Sequence, residues 1–465
     1  MAHIVCLTSG LTGILHASFA LIARLEQAGH RLTCGSPLEV GSSARAQGID
    51  YVQLPAIPVS PEPEVPSFSG PLRKWKRWAH KYRHRRQRQQ VALENIGYGK
   101  IKVLYETLAP DLLIIDVELH EYIIAAHTGK WPLLLLSQWF SLWPSSGLPY
   151  LLHDTVPGSG WQGSKWAIDL SWGMVRLQRS WMFAKKKFLS LGTDRRSALL
   201  ALADKLEFPR SYIKQNYWPG PFSYNTLPVL SMTAEEMEFP HDRPGHLHYI
   251  GPMVYAERRD TAVEDQLQSE LAALFESRQE RGLRLIYCSV SSLKSGDRRF
   301  LQKVCQAVQE EPSWLLMMSL GGLIDREQLG ELPPNVYVYP WLPQLQILER
   351  ADCSINHGGI HTINECIHFK VPMLVYSGKR SDQNGCAARV AYHQLGLIGD
   401  KDQDSVVQIR EKIRKVLTDG EIRRNVELMY EHCCRYRDER CVEKLTSAAL
   451  QKKKEIKATD GKPLV

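Results

Sequence analysis

No cysteine pair in this chain has the spacing of a metal site. The ten cysteines are scattered, only Cys433 and Cys434 are adjacent, and no CxxC pair or Cys/His cluster occurs. This excludes a zinc ribbon or finger and fits the reduced thiols of a cytosolic protein. The opening MAHIVCLTSG has no basic region followed by an apolar one, so no secretory signal is read there. Long hydrophobic runs are missing too. The most apolar, WPLLLLSQWFSLWP, is interrupted and shorter than the roughly 20 residues a membrane span needs. A GxGxxG turn is also absent, because Gly10 and Gly13 after the first apolar run do not have that spacing. The expected location is the cytoplasm, with peripheral membrane contact left open.

A chain of 465 residues is too long for one core, since single cores stop growing near ~250–300 residues. Its 44% hydrophobic and 23% charged content is that of a globular protein. In the first third, HIVCLTS, RLTCGSP, DYVQLP, DLLIID and PLLLLS read as strands, with His16 to Ala28 as an amphipathic helix. After a polar stretch the alternation restarts with LRLIYCSV, SWLLMMSL, NVYVYP, DCSINH and VPMLVYS. Continuous apolar runs between helical patterns predict parallel sheets covered on both faces. The expected organisation is an N-terminal domain over 1–252, a linker over 253–270, a second domain over 271–430, and a C-terminal helix with a basic tail over 431–465. Ligands of such sheets bind beyond the carboxyl ends of the strands, so two facing domains place the chemistry in a cleft.

The most informative segment is WLPQLQILERADCSINHGGIHTINECIHFKVPMLVYSGKRSDQ, from Trp341 to Gln383. His357-Gly358-Gly359 reads as a tight strand-to-helix turn. Its glycines allow close backbone approach, and the following helix N-terminus offers unpaired N–H groups to a diphosphate. Trp341 either presents a flat face to a nucleobase or packs in the core. Gln344 offers an amide to the base edge. Glu365 either accepts bonds from two ribose hydroxyls or is a solvated helix charge. Asp382 and Gln383 open the next helix and either grip sugar hydroxyls or, for Asp382, cap that helix.

Taken together, these residues resemble the donor-binding signature of family 1 glycosyltransferases: W-x-P-Q, H-x-G, a Glu eight residues after the His, V-P, and D-Q. Trp341, Pro343, Gln344, His357, Gly359, Glu365, Val371, Pro372, Asp382 and Gln383 match, at the Trp-to-His spacing of bacterial members. The resemblance implies the GT-B fold, two doubly wound Rossmann-like α/β domains facing a cleft. It also implies that Trp341 stacks on the base and Gln344 helps hold the nucleotide. His357 and the neighbouring N–H groups of Gly358 and Gly359 would hold the diphosphate, Glu365 the ribose, and Asp382 with Gln383 the sugar. LIYCSVSSL is similar to the family's strand ending in S-x-G-S, which puts Ser292 near the phosphates. Ile360 replaces the family's common Trp, His361 its Asn and Ser291 its Gly. The loop from Val375 to Asp382 is one residue longer. These departures leave the sugar open.

After the first strand, TSGLTGILHASFALIARLEQAGHRLT puts His16 at the expected helix start, where a His is either a polar opening residue or a base. The family carries its base at this place, and an Asp at the end of the DLLIID strand orients it. The resemblance therefore assigns His16 as base and Asp116 as its partner, with Glu118 and His120 as alternatives. A neutral Nε2 would take the acceptor proton while Asp116 holds the Nδ1–H tautomer. Attack opposite the diphosphate inverts the anomeric carbon. The Gly358-Gly359 turn stabilises the leaving group without a metal, and no cofactor is expected beyond the UDP-sugar co-substrate.

The reading is thus an inverting transferase moving a hexose, glucose favoured, from a UDP-sugar to a hydroxyl of an apolar or aromatic small molecule or lipid. Six of the twelve tryptophans fall between Trp139 and Trp181, suiting either an acceptor pocket or a core. An epimerase or hydrolase on the same fold, and a non-catalytic sensor, are the competing readings. Arg73 to Arg88 carries nine Lys or Arg and no acidic residue. It is a solvated helix face, a contact for anionic membrane, or, lacking any accompanying module, least of all a nucleic-acid site.

Overall fold

The computed structural model describes residues 1–56, 61–141, 143–214, 220–258, 265–289, 298–321, 324–379 and 382–460. The first sheet comprises β1 (His3–Leu7), β2 (Arg31–Ser36), β3 (Tyr51–Gln53), β4 (Leu112–Asp116) and β5 (Leu133–Ser137). A short hairpin follows, β6 (Ile213–Lys214) with β7 (Ser223–Tyr224), before β8 (Val229–Ser231) and β9 (Leu247–Tyr249) complete that sheet. Its order is β3-β2-β1-β4-β5-β8-β9, all parallel. The second sheet holds β10 (Arg284–Ser289), β11 (Trp314–Ser319), β12 (Val336–Tyr339), β13 (Cys353–Asn356), β14 (Met373–Val375) and β15 (Gly396–Ile398). It is parallel in the order β12-β11-β10-β13-β14-β15.

Strand alternation explains why both sheets read as continuous apolar runs. In β1 and β4, Val5, Leu7, Leu113 and Ile115 face one cluster, and Ile4, Cys6, Leu112 and Ile114 face another. In the second sheet Ile286, Cys288, Leu316 and Met318 pack on one side, and Leu285, Tyr287, Leu315 and Met317 on the other. With both faces covered by helices, no position along the strand can be polar without cost. The inner faces of the two sheets belong to one apolar cluster.

Three expectations change in detail. The first helix spans Thr12–Gln27, so His16 lies in its second turn rather than opening it. The expected linker over 253–270 overlaps the helix Asp265–Arg281. The C-terminal pattern is two helices, Gly420–Asp438 and Cys441–Asp460, so the expected boundary at 430/431 falls inside a helix. The last helix returns to the first domain. Val442 and Leu445 join the cluster of Ile4 and Leu21, and Arg24 Nε donates to Glu443 at 2.9 Å. Among the described residues, no helix is long and apolar enough to cross a membrane.

Candidate functional site

Each sheet reverses its strand order beside its first strand, between β1 and β4 and between β10 and β13. Chain leaving these strands opens outward at the reversal, which is where ligands of such sheets bind. The two reversals face each other across a cavity of about 340 Å³. Thr12, Gly13, His16, Gln138 and Trp139 line it from the first domain, and Arg258 from the chain after it. Trp341, Gln344, His357, Gly359, Glu365, Asp382 and Gln383 line it from the second domain. Seven of the nine donor-site residues read from sequence thus share one wall. Gly358 lies within the turn, and Ser292 lies outside the described residues.

The turn after β13 has the backbone its sequence demands. Gly358 has φ +81°, a left-handed conformation that disfavours any side chain. A Cβ at Gly359 would lie 2.7 Å from His357 Nε2. The helix Ile360–His368 follows directly, and its first N–H, at Ile360, donates to Asp382 Oδ2 at 2.9 Å. Asp382 precedes its own helix, Gln383–Tyr392, but makes no side-chain cap there; its carboxylate sits on the neighbouring helix N-terminus instead. Gln383 Oε1 accepts from the Gly378 N–H at 2.9 Å. Among the described residues, His357 Nδ1, Ser289 Oγ and Gln138 Nε2 are buried polar atoms beside the cavity that find no protein partner. Buried polar atoms are almost always hydrogen-bonded, so this orphaned set fits a polar, oxygen-rich ligand.

Exposure and burial remove two of the open alternatives. Trp341 is 48% exposed and is not core packing. Glu365 is buried, not solvated. Its Oε2 accepts from Gln344 Nε2, and its Oε1 accepts from Arg258 Nη1 at 3.0 Å. Tyr287 Oη donates to Gln344 Oε1 at 3.3 Å, fixing that amide.

Arg258 was not recognised in the sequence, where it sits in a polar stretch read as linker. Its Nη1 also lies 3.2 Å from His16 Nδ1. A guanidinium only donates, so Nδ1 accepts here and the neutral ring carries its proton on Nε2. Burial, then the Arg258 charge, then His361 lower the His16 pKa to about 4.

The expected His16–Asp116 pair is not formed. Asp116 is buried, and its oxygens accept the N–H groups of Glu118 at 3.0 Å and Ser9 at 3.4 Å. The carboxylate that ends β4 satisfies the backbone of its own turn and of the chain after β1, and none of these bonds reaches His16. Burial raises the pKa of Asp116 to about 6, and burial with the Asp116 charge raises that of Glu118 further. His120 is buried against Tyr224, with Nδ1 3.1 Å from that hydroxyl, and does not line the cavity.

The Trp-rich stretch does not build one pocket either. Trp139 lines the cleft and Trp143 and Trp172 are buried, while Trp161, Trp166 and Trp181 lie on the outer surface. An acidic run that the sequence reading passed over, Asp400-Lys401-Asp402-Gln403-Asp404, is structural. Asp400 Oδ1 accepts the N–H groups of Asp402 and Gln403 at 2.9 and 3.1 Å, and Asp404 accepts from Tyr376 Oη at 2.9 Å. Among the described residues, no three His, Cys, Asp or Glu gather as metal ligands.

The two domains are joined firmly around the cavity. Arg389 is fully buried, donating from Nε to Glu238 Oε1 at 2.9 Å and from Nη2 to Ser141 Oγ at 2.7 Å. His361 Nε2 meets Gln138 Oε1 across the cleft. Gly13 permits this approach, since a Cβ there would lie 2.7 Å from His361 Cδ2.

Two parallel α/β domains with a shared cleft define the GT-B class, and known structures bear out that fold. The glycotransferase of kitacinnamycin aligns with 94% of this chain and 95% of its own, at 18% identity and a TM-score of 0.64. A calicheamicin glycosyltransferase aligns with 97% and 99%, at 17% identity and 0.60. Residues 322–445 match the family described as erythromycin biosynthesis protein CIII-like, C-terminal domain. The NDP-glycosyltransferase YjiC of Bacillus subtilis (strain 168) is 33% identical over 127 residues, 27% of this chain and 32% of that protein. The zeaxanthin glucosyltransferase of Pantoea ananas is 26% identical over 198 residues, 42% of this chain and 43% of that protein. The chain thus spans about a fifth to under a half of the length of the curated relatives it matches. The second domain is similar to the C-terminal domain of known glycosyltransferases, and the chain as a whole shares the fold of solved glycosyltransferase structures.

Proposed function

We propose that this chain is an inverting, metal-independent glycosyltransferase moving a hexose, with glucose favoured, from a UDP-sugar to a hydroxyl of an apolar acceptor. The observation that carries the reading is the single cavity bounded by Trp341, Gln344, Glu365, the His357 turn and Asp382-Gln383 on one side and by His16 on the other. In this reading Trp341 stacks on the base, Glu365 takes the ribose hydroxyls, and Asp382 with Gln383 orients the sugar. His357 Nδ1 and Ser289 Oγ, lacking protein partners, receive phosphate oxygens. Relatives named as UDP-glucosyltransferases support the donor, although a structural neighbour was solved with dTDP.

His16 is the proposed base, and Arg258 controls it. While Arg258 donates to Nδ1, that lone pair is unavailable. The negative diphosphate of a bound donor competes for the same guanidinium, and ribose hydroxyls compete for Glu365. Donor binding thereby draws Arg258 off His16 and frees the ring to take the acceptor proton. Loss of the Arg258 contact also raises the His16 pKa from about 4 toward the working pH, where a general base is most effective.

The test is calorimetry with UDP, UDP-glucose and dTDP-glucose, followed by mass spectrometry of product from a panel of apolar alcohols and phenols. A glycoside formed with release of UDP supports the reading. Nucleotide-sugar binding with only hydrolysis or epimerisation, whatever the acceptor, refutes it.

A further inference from the structure

The helix Lys165–Ser190 has two apolar faces. Ile168, Trp172, Val175 and Phe183 are buried. On the other side Trp166, Leu170, Met174, Leu177, Trp181 and Phe188 are all exposed, four of them extremely so: Trp166 at 68%, Leu177 at 73%, Trp181 at 72% and Phe188 at 66%. At 3.6 residues per turn these six fall within an arc of roughly 80° and run for about 33 Å along the helix. The stripe continues onto a second helix, Arg73–Arg83. Trp78 lies 6.3 Å from the Phe188 ring and stacks on Tyr82 at 5.4 Å, and Trp75 is 71% exposed. Solvent-facing apolar surface this extensive is unusual for a soluble protein and marks an interaction site.

The charges around the stripe identify its occupant. Residues 73–88 and 165–190 together carry fifteen Lys or Arg and one acidic residue, Asp169, while the whole chain is only +8. Most of these cations are exposed; Lys81 and Arg88 are held by Glu62. Trp and Tyr interleaved with Lys and Arg beside aliphatic side chains is the composition of a surface that settles at the headgroup level of a bilayer. A nucleic acid would use the cations but gain little from a stripe of Leu, Met and Phe. We propose that the helices Arg73–Arg83 and Lys165–Ser190 form a docking face for an anionic lipid bilayer, with the aromatic stripe inserted among the headgroups and the basic residues over them.

This face is mechanically tied to the cleft. Trp172 Nε1 donates to Leu148 O at 2.6 Å, and Asp169 accepts from Ser146 Oγ at 2.7 Å. The same loop reaches the second domain, where Asn384, one residue after Gln383, donates to Leu152 O at 3.2 Å. A docked molecule thus holds its cleft one loop from the lipid surface. The docking proposal does not depend on the glycosyl-transfer reading.

The experiment is flotation of the full chain with phosphatidylcholine vesicles and with vesicles containing phosphatidylglycerol, at low and high salt. Expected is binding to the anionic vesicles that weakens with salt. In Trp166→Ser/Leu177→Ser/Trp181→Ser, whose sites are exposed, vesicle affinity falls about tenfold or more, while turnover of a water-soluble acceptor and thermal stability hold. Lys74→Glu/Arg77→Glu reduces the salt-sensitive part. Binding of the triple variant equal to that of the native chain, or no vesicle binding by the native chain, overturns the proposal. So does a native dimer in sedimentation that the triple substitution dissociates, since a second copy then covers the stripe. Salt-sensitive binding to duplex DNA or RNA with none to vesicles overturns it equally.

Discussion

Replacing Arg258 with Met separates two roles that this side chain combines. Met keeps most of the length and removes the charge, so His16 loses the donor at its Nδ1 and Glu365 loses one of its two described partners. The His16 pKa lies near 4, with burial the largest cause, Arg258 second and His361 third. As the second of three causes, the Arg258 charge accounts for at most about half of the drop from the ordinary value near 6.5. The pKa in Arg258→Met should therefore rise, by at most about one pH unit, and stay below the ordinary value. The sign follows from the proton. A lowered pKa keeps the ring neutral, so activity that needs neutral His16 is lost only as pH falls through about 4. In the variant that acid limb moves upward. At pH 7 both rings are neutral, so any loss of turnover there comes from donor handling rather than protonation. The assay is histidine NMR titration of both proteins, with His16→Gln to assign the resonance, alongside the pH profile of kcat/KM. A His16 that titrates near 6.5 in the native chain, or one unmoved by the substitution, refutes the reasoning.

Glu365→Ala should weaken UDP binding in calorimetry by ~1.5–3 kcal/mol, the worth of bonds to a charged acceptor; unchanged affinity removes Glu365 from the ribose site. EDTA should leave turnover intact, and activity lost with chelator and restored by magnesium or manganese contradicts a metal-independent reaction. Arg389→Met should lower unfolding free energy in urea by about 3–5 kcal/mol, because it strands the buried Glu238 carboxylate; a cost below about 1 kcal/mol means that the pair does not join the domains. His16→Ala should cut turnover by about two to four orders of magnitude with little change in UDP affinity. Because Asp116 bonds to Ser9 and Glu118, Asp116→Asn should add its loss to that of His16→Ala, whereas a double variant no worse than His16→Ala alone shows that the two residues act as a unit.

The sheets were legible because covered parallel strands are apolar along nearly their whole length: LLIID and WLLMMS are buried throughout, with a polar residue only at the carboxyl end of each. The second-domain wall was legible through the resemblance of the segment from Trp341 to Gln383 to a family signature. Its residues lie close together along the chain, so the matched pattern carries over to one wall of the cleft. The helix Lys165–Ser190 was not. Apolar residues on two opposite faces blur the single stripe on which a helix reading depends, and six tryptophans suggested one pocket. The short strands β8, β9 and β15 have three residues each, too few for a pattern. The partner of His16 was illegible for a different reason. Arg258 is separated from it by 242 positions, and nothing local announces that a polar linker returns a cation to the cleft.

The cleft is electrically closed on itself. Glu365 holds Arg258 and Gln344, Arg258 holds His16, and Asp382 holds the helix N-terminus that a phosphate would otherwise approach. Each of these bonds satisfies a buried charge or dipole whose exposure without a partner would cost several kcal/mol. A ligand can displace them only by offering equivalent groups at the same places: hydroxyls for Glu365, and anionic oxygens for Arg258 and the helix end. Water offers weak substitutes, and a neutral sugar lacks the anion. A nucleoside diphosphate carries both kinds of group. In the proposed reaction the internal pairs would act as a filter for the donor and keep His16 idle until that donor is bound.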